Sequence, residues 1–121
     1  MDGSRALNML GGIRAAIGLS VWAAPRATGK LFGLDSDANP QAPYLARLFG
    51  ARDLALAWGA LATDGDARRG WLLAGAACDA ADAIAGVAGG RAGYLPKLTS
   101  ALVSATAVAA LLLGLSALQE G

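Results

Sequence analysis

Six ionisable side chains interrupt stretches of sequence that are otherwise apolar, and their types suit acid–base chemistry. They are three aspartates and three arginines: Asp53, Asp79, Asp82, Arg14, Arg47 and Arg52. A carboxyl group can donate or accept a proton during a reaction, and a nearby arginine can stabilise the charge that develops. We therefore treat the three aspartates as candidate catalytic groups and the three arginines as candidate substrate-binding or electrostatic partners.

The composition argues against several other kinds of chemistry. Histidine is absent and there is a single cysteine, so an intramolecular disulfide and a histidine or cysteine zinc site are excluded. We expect no metal and no other cofactor. The formal net charge of +1 leaves no basic surface large enough to hold nucleic acid by counterion release.

The hydropathy of the chain indicates a bilayer environment. Hydrophobic residues make up 55% of the 121 residues, and the mean hydropathy is +0.47. Four apolar windows of about 20 residues, the length that crosses a bilayer, lie near residues 5–24, 42–61, 68–88 and 95–118. We therefore predict an all-α integral membrane protein with one domain, residues 1–121, folded as an up-down-up-down bundle of four transmembrane helices.

Most of the candidate groups fall near the middle of a predicted helix. Arg14 lies in the first helix, Arg52 and Asp53 in the second, and Asp79 and Asp82 in the third. A charge near the bilayer centre costs from about 2.5 to more than 10 kcal/mol unless it faces protein or water and has a partner. Three helices should therefore bring opposite charges to one internal layer, where they neutralise one another.

Small residues mark the helix faces that carry the acids. Asp79 and Asp82 share a face with Gly75 and Gly86, and Asp53 lies on a similar stripe of glycine and alanine. Small residues let helices approach closely in lipid, so both acidic faces should point inward. Because Asp79 and Asp82 lie one turn apart and repel each other, we expect one of them to hold a proton that it can transfer.

Two features of the topology stay open. The first window has an alternative interpretation as a secretory signal peptide, since Arg5 precedes it and Ala23-Ala24 resembles a cleavage site, although Arg14 interrupts the apolar core of such a peptide. Lysine and arginine are nearly balanced between the two ends of the bundle, so the positive-inside rule does not fix the orientation. Dual insertion as an antiparallel homodimer therefore remains open.

Three sequence segments carry a resemblance to a known group of proteins. They are GLSVWAAP at 18–25, LFGLD at 31–35 and RLFGARD at 47–53, and an Asp-x-x-Asp step follows at 79–82. The chain resembles, over most of its length, uncharacterised small four-helix integral membrane proteins of high-GC bacteria. That resemblance implies a multi-pass protein of the bacterial plasma (inner) membrane and carries no assigned activity.

Three functions are compatible with these observations. The first is a small membrane enzyme that isomerises, cyclises or opens the epoxide of a hydrophobic, lipid- or isoprenoid-like molecule, with Asp79 or Asp82 as proton donor and Asp53 as base. In layout the chain is similar to small membrane terpene cyclases and sterol isomerases, an analogy of architecture alone. The second is a proton-coupled transporter or channel for a small solute, acting as a dimer. The third is a non-catalytic subunit of a larger membrane complex. The same residues are equally compatible with a purely structural role, in which the charge pairs fix which helices meet.

Overall fold

Helices account for almost all of the chain. The computed structural model describes residues 2–120, with side chains through Gln119. It contains five helices, α1 (Gly3–Ala23), α2 (Pro25–Leu31), α3 (Ala42–Ala62), α4 (Gly65–Ala92) and α5 (Lys97–Glu120). The described residues form no strand, which confirms the all-α prediction.

Three of these helices, α1, α4 and α5, are long and apolar enough to cross a membrane, which indicates a membrane protein. Helix α3 matches α1 in length at 21 residues, but it carries Arg47, Arg52 and Asp53. Length and composition therefore do not by themselves identify α3 as a span. Large apolar side chains on the outside of α4, including Ile84, Leu73 and Val87, are exposed, as expected for contact with lipid.

The four long helices pack around one centre. Helix α1 lies against α3 and α5, and α4 lies against α5 and, less extensively, against α3. Helices α1 and α4 are therefore diagonally opposite. The buried apolar core is small, and it takes residues from all four long helices: Ala6, Leu10, Ala60, Leu72 and Ala117.

Glycines set the closest approach between neighbouring helices. At the crossing of α1 and α3, a Cβ added to Gly50 would lie 3.1 Å from the carbonyl oxygen of Gly18. At the contact of α4 with α5, the Ser100 hydroxyl donates a hydrogen bond of 2.8 Å to the carbonyl oxygen of Gly86. Small residues thus replace a large apolar core as the means of bringing these helices together.

The C-terminal boundary of α4 differs from the predicted one. The third predicted window ended near residue 88, but α4 continues through Gly89 and Gly90 to Ala92 and is capped by Gly93, whose φ is +89°. The N–H groups of Gly93 and Leu95 both donate to the carbonyl oxygen of Gly89, an arrangement typical of a glycine-terminated helix. Gly89 and Gly90 have a different role, because they face close contacts with Leu95 and with Ser100 of α5.

The short helix α2 lies in the connection between the first two predicted windows. Pro25 occupies its first turn, a position where the missing N–H costs no helical hydrogen bond. The chain leaves α2 through Gly33, whose φ is +79°, and the backbone of Gly33 lies against the Thr99 hydroxyl of α5. Helix α2 therefore lies at the C-terminal end of α1, and the segment after it contacts the start of α5.

Candidate functional site

The centre of the site is an ion pair between Arg14 of α1 and Asp79 of α4. Both guanidinium nitrogens donate, with Nη1 at 3.0 Å from Oδ1 and Nη2 at 2.7 Å from Oδ2. Only 6% of Arg14 and 3% of Asp79 is exposed. Because α1 and α4 are diagonally opposite, this two-bond contact crosses the middle of the molecule. It joins helices whose backbones do not pack directly against each other.

Gly75 makes room for that contact. It lies one turn before Asp79 on α4, and a Cβ added there would lie 2.9 Å from Nη2 of Arg14. A side chain of any size at this position would therefore displace the guanidinium from Asp79. The sequence placed Gly75 and Asp79 on one inward face, and both are buried.

Asp53 of α3 is the third member of this buried group. Its Oδ1 lies 3.8 Å from Nη1 of Arg14, which is close enough for attraction but too long for a hydrogen bond. That oxygen is buried and finds no hydrogen-bond partner among the described residues. One arginine thus faces two buried carboxylates, and Asp53 is the one that can change its protonation without breaking an arginine hydrogen bond.

A second ion pair, between Arg52 of α3 and Asp82 of α4, lies next to the first group. Its two hydrogen bonds measure 3.2 Å and 2.5 Å. The Phe49 ring lies beneath the guanidinium, with Cζ of Arg52 4.7 Å from the ring centroid. This pair is less enclosed, since 34% of the Arg52 side chain and 32% of the Asp82 side chain is exposed. Arg52 therefore has its partner within the same chain.

Arg47 lies outside this layer. Its Nη2 donates a hydrogen bond of 3.2 Å to the carbonyl oxygen of Trp22 at the end of α1. Its guanidinium carbon lies 5.5 Å from the centroid of the Trp22 ring. The structure therefore brings together five of the six candidate groups, and Arg47 joins α3 to α1 near the surface.

The geometry also separates the two carboxylates of α4. Asp79 binds Arg14 and Asp82 binds Arg52, so each acid has its own arginine. The arrangement is that of two neighbouring ion pairs, and it differs from a carboxylate pair that shares one proton.

The hydroxyl groups of α5 serve helix contacts. Ser100 bonds to α4, and Thr106 donates to the carbonyl oxygen of Leu102 in its own helix. The buried hydroxyl of Ser104 has no hydrogen-bond partner in the part of the chain that the structure describes.

Little space adjoins the charge layer. A cavity of about 10 Å³ borders Arg14 and Gly75, with Leu10, Leu56 and Trp71 among its other walls. That volume is at the lower limit for a single water molecule. No set of three or more metal-binding side chains converges within residues 2–119. The cavity beside the charge layer is therefore too small to accept a hydrophobic substrate.

Sequence reasoning placed Gly50 and Gly75 on the faces that carry the acids, but it did not identify Gly18 or Phe49 as supports of the layer. Gly18 and Gly50 bring α1 and α3 together, and Phe49 supports Arg52. The only available signal was glycine spacing, which does not specify the partner helix. Comparison with known proteins adds no relative, since no family model, no curated protein and no solved structure matches the chain.

Proposed function

We propose that α3 is a fourth transmembrane span, so that the chain forms an up-down-up-down bundle in the bacterial inner membrane. The pairing of its central charges supports this topology, because Asp53 faces Arg14 and Arg52 binds Asp82. Charged groups within a bilayer are tolerated when they are turned inward and paired. The outward side of α3 is apolar, and 74% of Trp58 is exposed.

The function that the geometry supports best is that of a non-catalytic subunit of a membrane assembly. One observation carries this proposal, which is the exposure of the Arg52–Asp82 pair on the outside of the bundle near the middle of α3 and α4. An ion pair at that depth gains stability when a protein surface covers it, because lipid tails offer no hydrogen bonds.

The proposed covering surface is a second copy of the same chain. The exposed pair contains one positive group, Arg52, and one negative group, Asp82. A twofold axis beside the pair would bring Arg52 of each copy near Asp82 of the other. Such an interface, in which the same patch serves both subunits, is the commonest arrangement in homo-oligomers. Helix α4 packs less extensively against α3 than against α5, and the pair lies at that less extensive contact.

Dimerisation can be measured by energy transfer between labelled chains in liposomes at varied protein-to-lipid ratios. We expect a dimer whose affinity falls at least tenfold, about 1.4 kcal/mol, when Arg52→Met and Asp82→Leu are combined. Removing both charges together leaves no unpaired ion, so the fold should persist. Arg47→Met, which removes an arginine outside the layer, is the matched control and should leave affinity unchanged. Wild-type chains that stay monomeric at every ratio would contradict the proposal.

A second function, acid–base catalysis on a hydrophobic molecule, rests on Asp53 alone. Asp53 is the one carboxylate of the buried group that accepts no hydrogen bond from the described residues, and its Oδ1 is fully buried. Such an oxygen suits a group that takes up and releases a proton. The small cavity beside Arg14 weighs against this function, because a lipid-like substrate would require the helices to separate. A transporter would similarly need a pathway formed between two copies.

A further inference from the structure

A second cavity, open to the surface, lies away from the charge layer at the end of α1. Its volume is about 450 Å³, and it is formed by α2 and the segment that follows α2. This volume falls within the range of small-molecule sites. Its walls include two cationic side chains, Arg26 and Lys30, and two acidic ones, Asp35 and Asp37.

The position of this cavity corresponds to the surface of a bilayer crossed by α1. Helix α2 begins at Pro25, immediately after α1 ends at Ala23. Apolar side chains accompany the charged ones, since 80% of Leu31 is exposed and Leu34 lines the cavity. Charged and apolar groups side by side are typical of segments that lie at the boundary between lipid headgroups and acyl chains.

The two cations are arranged to meet one anionic group. Arg26 and Lys30 are four residues apart on α2 and therefore project from the same side of the helix. Arginine and lysine are the usual protein partners of phosphate oxygens. Arg26 approaches Asp37 with Nη1 at 3.6 Å from Oδ1, and both side chains are largely exposed. That long contact leaves most of the guanidinium donors free for another acceptor.

The two acids supply the opposite charge within the same cavity, with Asp37 beside Arg26. Oδ1 of Asp35 accepts hydrogen bonds from the backbone N–H groups of Asp37 and Ala38, at 3.0 Å and 3.3 Å. These bonds fix the carboxylate of Asp35 and leave its Oδ2 available. Two positive and two negative side chains make the cavity neutral overall, which disfavours ligands with a net charge.

We propose that this cavity binds the headgroup of a zwitterionic phospholipid of the phosphoethanolamine type. The phosphate lies against Arg26 and Lys30, and the ammonium group lies against Asp35 and Asp37. The acyl chains leave past Leu31 and Leu34 into the bilayer. The proposal requires α1 to cross the membrane, and it is independent of dimer formation and of the role of the buried charge layer.

Native mass spectrometry of the full chain, released from mixed micelles with equal amounts of phosphatidylethanolamine and phosphatidylglycerol of identical acyl chains, tests the proposal. We expect at least fivefold preferential retention of phosphatidylethanolamine. Combining Asp35→Asn with Asp37→Asn should reverse the preference, because the cations then face no competing carboxylate. Combining Arg26→Gln with Lys30→Gln should abolish selective retention. Arg91→Gln, an exposed arginine at the end of α4, is the matched control.

The reversal of preference keeps the test informative even if one variant is less stable, because an unfolded protein would not gain selectivity for the anionic lipid. Equal retention of both lipids by the wild-type chain, or a preference unchanged in both double variants, would overturn the proposal. Soluble phosphoethanolamine at millimolar concentration should not displace the lipid. Complete displacement would show that the cavity binds a free phosphoester, and it would overturn the proposal that a membrane lipid is the ligand.

Discussion

Replacing Arg14 with methionine is expected to destabilise the protein by about 3–5 kcal/mol, the usual cost of leaving buried charge without its partner. Arg14 supplies both hydrogen bonds to Asp79 and is also the nearest cation to Asp53. Without it, Asp79 would lose its hydrogen-bonded partner and Asp53 would lose its nearest cation. Reversible unfolding by SDS in mixed micelles, followed by circular dichroism, measures the effect.

Two further variants determine whether the loss arises from the buried charge. Arg47→Met removes an arginine of the same helix bundle that lies outside the layer, and it should cost less than about 1 kcal/mol. Combining Arg14→Met with Asp79→Leu should restore at least half of the lost stability, because the unpaired carboxylate is removed with its partner. An Arg14→Met variant no less stable than Arg47→Met would contradict a structural role for the layer.

The two acids that face Arg14 are expected to respond differently to the same substitution. Asp79→Asn exchanges a charge-assisted two-bond contact for a weaker neutral one, and we expect a loss of about 2–4 kcal/mol. Asp53→Asn removes the carboxylate that makes no hydrogen bond to Arg14. We expect this change to be neutral within about 1 kcal/mol or stabilising, since it leaves Arg14 paired one-to-one with Asp79.

The same unfolding measurement compares the two variants, with the double variant as a test of additivity. Equal losses in Asp79→Asn and Asp53→Asn would show that both acids depend on Arg14 to the same extent. The Asp53→Asn variant also separates the two candidate functions. A catalytic Asp53 predicts loss of the biological activity with stability retained, whereas a non-catalytic subunit predicts that activity and stability are both retained.

The sequence was a good guide to which faces of the helices carry the acids. Gly75, Asp79 and Gly86 share one face of α4 by helical periodicity, and all are buried. Asp53 likewise lies on the buried stripe of α3. These features depend on positions within one helix, where a repeat of 3.6 residues fixes direction. Asp82, which was expected to point inward with Asp79, is only partly buried, and it pairs with Arg52 of α3.

Partner choice could not be predicted in the same way. Arg47 and Arg52 belong to one helix and one motif, yet Arg52 reaches Asp82 while Arg47 packs on Trp22. A long arginine side chain covers a wide range of directions, so its partner depends on the neighbouring helix and on the space that helix leaves. The end of α4 at Gly93 was missed for a related reason. Gly89 and Gly90 serve contacts with α5 and with the turn before it, and composition alone does not distinguish close packing from a helix stop.

The depth of the charge layer in the bilayer tests the central claim most directly. Spin labels at Ala55→Cys on α3 and Ala81→Cys on α4, each in a Cys78→Ala background, occupy exposed positions near the layer. If the layer lies near the bilayer centre, both labels in liposomes should collide often with dissolved oxygen and rarely with a water-soluble nickel complex. A loop label at Ser36→Cys should show the opposite preference. Nickel access at position 55 equal to that at position 36 would place α3 in water and contradict the account.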